Sequence, residues 1–327
     1  MSALPGLESP FGTAPPGAHV RYQALVRRAR AEPAVRTAVV HPCQATALAG
    51  AVEAAQASLI VPVLVGPRAK VLATATLAGV DIAPYELIDV PHSHAAAARA
   101  VALVREGQVE ALMKGSLHTD ELMAEVVRSD TGLRTGRRIS HCFVLDVPGH
   151  DTPLIISDAA INIAPTLAEK VDIVQNAIDL AQALEFDPVR VAILSASETV
   201  NPQVPSTIEA AALCKMAERG QITGALLDGP LALDNAIDAA AAAIKGIVSA
   251  VAGRANVLIV PDLEAGNMLA KSLTFLAHAD AAGIVVGARV PIMLTSRADS
   301  PLARLASCAV ALMLVRWRRL APTRAIV

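Results

Sequence analysis

The chain has 327 residues, which suits two domains or one domain with a large insertion. Hydrophobic residues make up 54% and aromatic residues only 2%, so the core must consist of Ala, Val, Leu and Ile, and broad aromatic surfaces for stacking nucleic-acid bases are not expected. The net charge of -2 argues against a large non-specific contact with nucleic acid or another polyanion, so any anion site must be local.

The cysteines and the N-terminal segment indicate the cellular setting. The sequence has four widely spaced cysteines: Cys43, Cys142, Cys214 and Cys308. They form no Cys-x-x-Cys pair and predict neither disulfides nor a zinc ribbon, so we expect a protein of the reducing cytoplasm. Residues 1–20 lack the basic and apolar parts of a signal peptide and predict a flexible leader. The apolar run at residues 305–315 is shorter than the roughly 20 residues of a membrane span, so no membrane association is expected.

From about residue 36, short β-branched runs alternate with longer Ala-rich segments. The runs TAVVHP, PVLVGP, YELIDV and EALMKG predict strands, and residues 95–105 and 121–128 predict helices. This alternation indicates βαβ units with a parallel sheet covered on both faces. After Arg138, the segment RISHCFVLDVPGHDTPLIISD predicts two strands joined by a turn, and we expect a new sheet to begin there.

The alternation resumes towards the C-terminus. VRVAIL, ITGALLDG, NVLIVP, GIVVG and VPIMLT predict strands, residues 168–184 and 206–219 predict helices, and a last helix is expected from about Pro301. The sequence therefore predicts an α/β protein with largely parallel sheets. In such sheets, ligands bind beyond the carboxyl ends of the strands, where turns lead into helix N-termini.

The first polar segment at such a position is LMKGSLHTDEL, residues 112–122. Gly115 permits a tight turn, Ser116, His118 and Thr119 supply donors beside a helix N-terminus, and Lys114 adds a positive charge. These features predict a phosphate site. An equally good interpretation of the motif alone is a helix cap with a solvated lysine.

Two further groups of polar residues can serve a charged ligand. The segment GLRTGRRIS contains Arg134, Arg137 and Arg138, whose guanidinium groups suit the phosphates of coenzyme A (CoA), although the motif alone favours a charged linker. Asp158 and Asn162 follow the strand LIIS, and Asn267 lies in the similar turn PDLEAGN; a helix cap is the simpler interpretation of the aspartate. Neither segment has metal-ligand spacing.

The segment LTSRADSP places a hydroxyl, a guanidinium and a carboxylate before the last helix. Ser300 is a plausible N-cap with Pro301 at the first helical position, so Ser296 and Arg297 precede a positive helix terminus and suit an anion. Asp299 can serve as a helix cap or as a general base. GxGxxG, GxSxG and HExxH motifs are absent from the sequence, and we expect no metal or redox cofactor.

These segments together resemble the phosphate acetyltransferase and phosphate butyryltransferase family over residues 35–315. The segments are MKGSLHTDELM, GLRTGRRISH, DVPGHDTPLIISDAAINIAPTL, LDGPLALDNAI and PDLEAGNMLAKSLTFLAHADAAGIVVGARVPIMLTSRADS, and the likeness is greatest to the acyltransferase half of bifunctional enoyl-CoA hydratase/phosphate acetyltransferase proteins. The resemblance implies reversible transfer of an acetyl or butyryl group between CoA and inorganic phosphate. It also implies a homodimer of subunits with isocitrate/isopropylmalate dehydrogenase-like architecture: two α/β domains and a cleft between them.

The implied domains are residues 21–138 plus 283–327 and an inserted domain at residues 139–282. In the family, a Ser-Arg pair matching Ser296 and Arg297 lies at the active site, and a catalytic Asp follows the Ser by seven residues. Here that position is Ala303, so Asp299 is the first substitute for the base. We predict from their chemistry and position that the other polar residues named above bind phosphate or CoA.

Several alternatives stay open at this level. Direct transfer in a ternary complex competes with a covalent route through Cys142 or Cys308, both of which lie in apolar segments typical of inert core thiols. The architecture also suits a metal-dependent NAD(P) oxidoreductase, and Ala303 leaves room for a non-catalytic CoA-binding protein.

Overall fold

The first half of the chain alternates strands and helices as its sequence predicts. The computed structural model describes residues 20–294 and 300–320. The elements are α1 (Val20–Ala29), β1 (Val35–Val40), α2 (Ala45–Gln56), β2 (Ile60–Gly66), α3 (Arg68–Ala78), β3 (Glu86–Asp89), α4 (Ser93–Arg105), β4 (Ala111–Lys114) and α5 (Thr119–Val126). All four predicted strands form, and the two predicted helices form with slightly different bounds. Residues 1–19 of the predicted leader lie outside the described residues, and Val20 already begins a helix.

The second half opens with the predicted antiparallel hairpin. Its elements are β5 (Ser140–Asp146), β6 (Leu154–Ser157), α6 (Leu167–Ala183), β7 (Arg190–Leu194), α7 (Pro205–Glu218), β8 (Leu226–Leu231), α8 (Leu233–Ile237), α9 (Ala239–Ile244), β9 (Val257–Ile259), α10 (Leu263–Leu276), β10 (Asp280–Val286), β11 (Ile292–Met293) and α11 (Pro301–Leu320). The two short helices α8 and α9 form in LDNAIDAAAAAI, for which the sequence pattern predicted no element.

The described strands form one mixed sheet in the order β3-β2-β1-β4-β11-β10-β5-β6-β9-β7-β8. The three antiparallel pairings are β11 with β10, β10 with β5, and β5 with β6. Strands β1 to β5 and β11 therefore run one way, and β6 to β10 run the other. The α/β class with mostly parallel strands is confirmed. The expectation that a new sheet begins at this hairpin is wrong. Strand β5 pairs with β10 over the whole length of both strands, and this pairing joins the two halves of the sheet.

Small aliphatic side chains build the core, as the composition requires. In β1, Val35, Ala38, Val39 and Val40 are almost fully buried because helices cover both faces of this parallel strand. Alanines of α2 such as Ala51 let the helix approach the sheet closely. Helix α11 buries nearly every residue from Ala303 to Val315, which anchors its N-terminus firmly beside the end of β11.

Side-chain caps fix the starts of two long helices. Thr166 and Glu169 form a reciprocal capping box at the start of α6. At α11, the Ser300 hydroxyl oxygen accepts a hydrogen bond from the backbone N–H of Ala303 at 3.1 Å, and Pro301 is the first helical residue. The predicted start of the last helix is therefore confirmed.

Two predictions about organisation have different outcomes. Within residues 20–294 and 300–320, the helices are all too short or too polar to cross a membrane. The division into domains at residues 138 and 283 stays a prediction.

Candidate active site

Polar side chains meet where β1 and β4 end. The Ser116 hydroxyl donates to the carbonyl oxygen of His41 at 2.7 Å and accepts from the backbone N–H of Cys43 at 3.2 Å. Its oxygen also lies 3.2 Å from Nδ1 of His41. The chain passes from β1 to β2 and β3 on one side and returns to β4 on the other side of β1. Ligands bind at such a switch point in α/β sheets.

The backbone at this junction is tightly packed. A Cβ atom at Gly115 would lie 2.6 Å from the carbonyl oxygen of His41, so no larger residue fits without a shift of the loop. His41 itself has φ 55°, which is unusual for a residue other than glycine. Burial and the ammonium group of Lys70 lower the pKa of His41, while the carboxylate of Glu121 acts in the opposite direction. The imidazole is therefore neutral at pH 7.

The predicted phosphate loop surrounds this junction. Lys114 is half-buried at the end of β4, and its Nζ lies 3.4 Å from the carbonyl oxygen of Gly115 and 3.3 Å from that of Leu117. His118 is exposed and precedes α5 without a side-chain capping bond, and Thr119 begins that helix. The structure therefore brings Lys114 and Ser116 together and leaves His118 open to solvent.

A cavity of 590 Å³ lies beside the end of β11. Phe143, Gly283, Leu294, Ser300 and Ala303 contribute to its lining. Phe143 and Gly283 are paired across β5 and β10, and Ser300 and Ala303 belong to the first turn of α11. The position at which the family resemblance implies a catalytic carboxylate thus faces a cavity with an alanine.

Ser296, Arg297 and Asp299 lie outside the described residues. In the sequence they fall between Leu294 and Ser300, both of which line the cavity. Their predicted roles stay predictions.

Asp158, Asn162, Asn267 and Arg138 form a separate network. Nε of Arg138 donates to Oδ1 of Asn162 at 2.7 Å, and the Asn162 amide donates to Oδ2 of Asp158 at 2.6 Å. The amide of Asn267 donates to the carbonyl oxygen of Ala159 at 3.2 Å. Strands β11, β10 and β5 separate β4 from β6, so this network lies about 19 Å across the sheet from Lys114, four inter-strand spacings away.

The three predicted arginines have different surroundings. Arg138 also pairs with Glu169 at 3.0 Å, and Arg137 pairs with Asp179 at 2.5 Å in a groove beside α6. Arg134 is exposed. Arg137 and Arg138 thus already contact carboxylates. Sequence reasoning did not reveal these partners, because both carboxylates come from α6.

Sequence reasoning missed His41, His141, Phe143 and Gly283. His41 and His141 each lie in a strand-like apolar run, where a lone histidine is usually a core residue. The pairing of Phe143 with Gly283 depends on the register of two distant strands. The usable signal was the alternation in SHCFVLD, which places His141 and Phe143 on one face of β5.

Comparisons with known proteins agree on one family. The family description phosphate acetyl/butaryl (butyryl) transferase matches residues 90–312. The chain is 65% identical over 306 residues to the phosphate acetyltransferase of Rhizobium meliloti, covering 94% of this chain and 97% of the relative.

Solved structures show the same fold. A branched-chain phosphotransacylase from Enterococcus faecalis V583 superposes with a TM-score of 0.74 at 30% identity, covering 86% of this chain and 99% of the other. The 4-hydroxythreonine-4-phosphate dehydrogenase of Klebsiella pneumoniae reaches a TM-score of 0.54 at 14% identity, covering 86% of this chain and all of the other. The second likeness concerns the fold alone and accords with the dehydrogenase-like architecture expected from the sequence.

Proposed function

The chain belongs to the phosphate acetyl/butyryl transferase family, and we propose on that premise that its preferred reaction is reversible transfer of an acetyl group between CoA and inorganic phosphate. The protein is an acyltransferase: acyl-CoA and phosphate give acyl phosphate and free CoA. The observation that carries the acetyl preference is the 65% identity with a phosphate acetyltransferase over nearly the whole of both chains. The branched-chain relative is far more distant, at 30% identity.

In the direction of acyl phosphate synthesis, a phosphate oxygen attacks the thioester carbonyl carbon. A tetrahedral oxyanion forms, and the CoA thiolate then leaves. We propose that Arg297 neutralises and orients the phosphate, while Ser296 donates a hydrogen bond to the oxyanion. Lys114 and Ser116, at the end of the neighbouring strand β4, are proposed to hold further phosphate oxygens.

The proposed transfer is direct, in a ternary complex without a metal or redox cofactor, because phosphate itself is the nucleophile. Burial raises the pKa of both Cys142 and Cys308 to about 12, so neither thiol is ionised near pH 7. This supports the direct route, since a covalent acyl-cysteine requires a thiolate nucleophile.

Replacing either cysteine with alanine is therefore expected to retain turnover within about threefold. Both side chains are fully buried, so each loss removes one small apolar group and lowers stability by about 1 kcal/mol. Turnover with acetyl-CoA and phosphate, measured beside a urea unfolding curve for each variant, checks this. A Cys142→Ala or Cys308→Ala enzyme that is folded but inactive would restore the covalent route.

The acetyl preference is tested with a panel of acetyl-, propionyl- and butyryl-CoA. Release of free thiol is followed with and without phosphate, and kcat/KM is compared across the panel. We expect phosphate-dependent release with all three and the highest kcat/KM for acetyl-CoA. A higher value for butyryl-CoA would contradict the acetyl preference, and no release from the folded protein with any substrate would contradict transfer itself.

We further propose that the enzyme works as a homodimer in the cytoplasm. All four cysteines are free, which suits a reducing compartment. The dimer rests on the family resemblance, and sedimentation equilibrium of the full chain tests it.

A further inference from the structure

Phe143 lines the cavity beside the end of β11, and neither the sequence motifs nor the proposed roles use it. It is half-buried near the middle of β5 and shares the lining with Leu294 and Ser300. Ser296 and Arg297 fall between Leu294 and Ser300 in the sequence. The proposed function therefore brings the reacting carbonyl group to this cavity, and the acyl chain attached to it meets the lining.

Phe143, Gly283 and Leu294 form a row across three neighbouring strands. Phe143 is paired with Gly283 between β5 and β10, and the pairing of Ile284 with Met293 between β10 and β11 places Leu294 next to Gly283. A Cβ atom at Gly283 would be 3.4 Å from both Cε1 of Phe143 and the carbonyl oxygen of Leu294. The edge of the Phe143 ring therefore lies beside Gly283, between its own strand and Leu294.

The Phe143 ring is held in this place from two sides. On one side, the ring of His141 meets it edge-on, with centroids 4.5 Å apart. His141 is only 2% exposed, so close packing keeps this neighbour from moving aside. On the other side, the ring edge is in ordinary contact distance of the Gly283 backbone. The ring is thus a fixed part of the cavity wall.

We propose that Phe143 is a specificity-determining residue whose ring limits the length of the acyl chain that the enzyme transfers. This inference rests on the proposed function. The acyl chain is the apolar part of the reacting end of acyl-CoA, and contact with apolar side chains is its favourable environment. Phe143 and Leu294 supply such side chains in the lining, two residues before the predicted Ser296–Arg297 pair in the case of Leu294.

The length of the chain decides how it meets this ring. An acetyl group ends in a methyl group, whereas a butyryl group has two further methylene groups. In a close-fitting apolar pocket, one methylene group changes kcat/KM about 10- to 200-fold. A methylene group that meets a fixed side chain must force it from its preferred position, which is costly. The Phe143 ring therefore favours acetyl over butyryl transfer, in the direction of the proposed preference.

The test uses Phe143→Ala, which removes the ring and keeps the backbone pairing of β5 with β10. Initial rates with phosphate and acetyl-, propionyl- or butyryl-CoA give kcat/KM for each substrate, and a urea unfolding curve checks that the variant is folded. We expect the ratio of kcat/KM for butyryl-CoA to that for acetyl-CoA to rise about tenfold or more, because the longer chain then occupies the space of the ring. Propionyl-CoA should show an intermediate change.

Phe275→Ala is the matched control, because it removes the same ring from the same cavity. Phe275 lies on α10 with 70% of its surface exposed, so it borders the cavity where solvent enters. Its loss should leave the butyryl-to-acetyl ratio within about twofold of the wild type. An equal rise of this ratio in both variants would contradict the assignment to Phe143, since any enlargement of the cavity would then relax the specificity.

Gly283→Ala is the second variant, in case Phe143→Ala does not fold. Gly283 lines the cavity, and a methyl group there would lie 3.4 Å from the Phe143 ring and 3.1 Å from Nε2 of His141. It narrows the cavity beside the same ring, so the butyryl-to-acetyl ratio should change in the opposite direction and fall about threefold or more. A folded Gly283→Ala enzyme with an unchanged or higher ratio would contradict the inference.

The outcomes separate the inference from the proposed function. An active wild type together with a folded Phe143→Ala enzyme that has the wild-type ratio overturns the inference alone. An equal loss of kcat/KM for all three substrates also overturns it, because that result indicates a structural role for the ring. A wild type that prefers butyryl-CoA contradicts the proposed acetyl preference, and the ratio in Phe143→Ala still decides whether the ring limits the chain. A folded wild type without phosphate-dependent activity contradicts both.

Discussion

Replacing Asp158 with alanine is expected to lower the free energy of unfolding by about 3 kcal/mol. This carboxylate is 3% exposed and, within the described part of the chain, accepts four hydrogen bonds. Oδ1 accepts from the backbone N–H groups of Ala160 and Ile161 at 2.9 and 3.0 Å, and Oδ2 accepts from the backbone and side-chain N–H groups of Asn162 at 3.2 and 2.6 Å. Alanine leaves these donors without an acceptor, and partial entry of water limits the loss.

Asp262→Ala is the matched control for this prediction. Asp262 follows β9, the parallel neighbour of β6, at the corresponding position, but among the described residues its carboxylate accepts only the capping bond from the N–H of Ala265 at 2.8 Å. Its loss should therefore cost only about 1 kcal/mol. Urea unfolding of both variants measures the difference. Equal stabilities would contradict a structural role for Asp158, and a raised KM for CoA in a stable Asp158→Ala enzyme would instead support the predicted role in ligand binding.

The sequence predicted the strands and most helices because their signals are local. In β1 and β2, β-branched residues dominate short runs that end at proline or glycine, and long Ala-rich segments follow. Ser300 and Pro301 predicted the start of α11, because serine is a common N-cap residue and proline is favoured at the first helical position. Each of these features depends on neighbours in the sequence and needs no knowledge of the tertiary structure.

The relation between distant segments could not be predicted in the same way. Strands β5 and β10 pair although more than 130 residues separate them in the sequence. This pairing produces one continuous sheet, whereas the sequence pattern predicted two. The same pairing places Gly283 opposite Phe143 and next to His141. Only this register brings Gly283 into close contact with the imidazole, so neither residue stands out in the sequence.

The predicted arginine cluster shows a related limit. Three arginines within five positions suggested a common phosphate site, yet Arg137 and Arg138 contact Asp179 and Glu169 of α6. A count of charges along the chain does not reveal their partners. Lys114 and Ser116 were easier to predict, because a polar turn directly after a parallel strand lies at the ligand-binding edge of the sheet whatever follows.

Replacing Ser296 with alanine is expected to lower kcat by about 10²–10³-fold with little change in KM for phosphate. Ser296 is two residues beyond Leu294 and four before Ser300, and both of these line the cavity. A hydroxyl that donates to the tetrahedral oxyanion is used fully only in the transition state, so its loss raises the barrier by about 3 to 4 kcal/mol. Arg297, the proposed phosphate ligand, is retained in this variant, so KM should change little.

Ser307→Ala is the control for this effect. The Ser307 hydroxyl is buried in α11 and donates to the carbonyl oxygen of Ala303 at 3.0 Å, so it is engaged within the helix and its loss should change stability slightly and turnover not at all. Initial rates with acetyl-CoA and phosphate, taken at saturating concentrations of both, compare the two variants directly. If the Ser296→Ala enzyme has an unchanged kcat but a higher KM for phosphate, then Ser296 binds phosphate in the ground state and does not stabilise the oxyanion. The backbone N–H groups would then be the better explanation for how the oxyanion is held, because only a group used in the transition state lowers kcat alone.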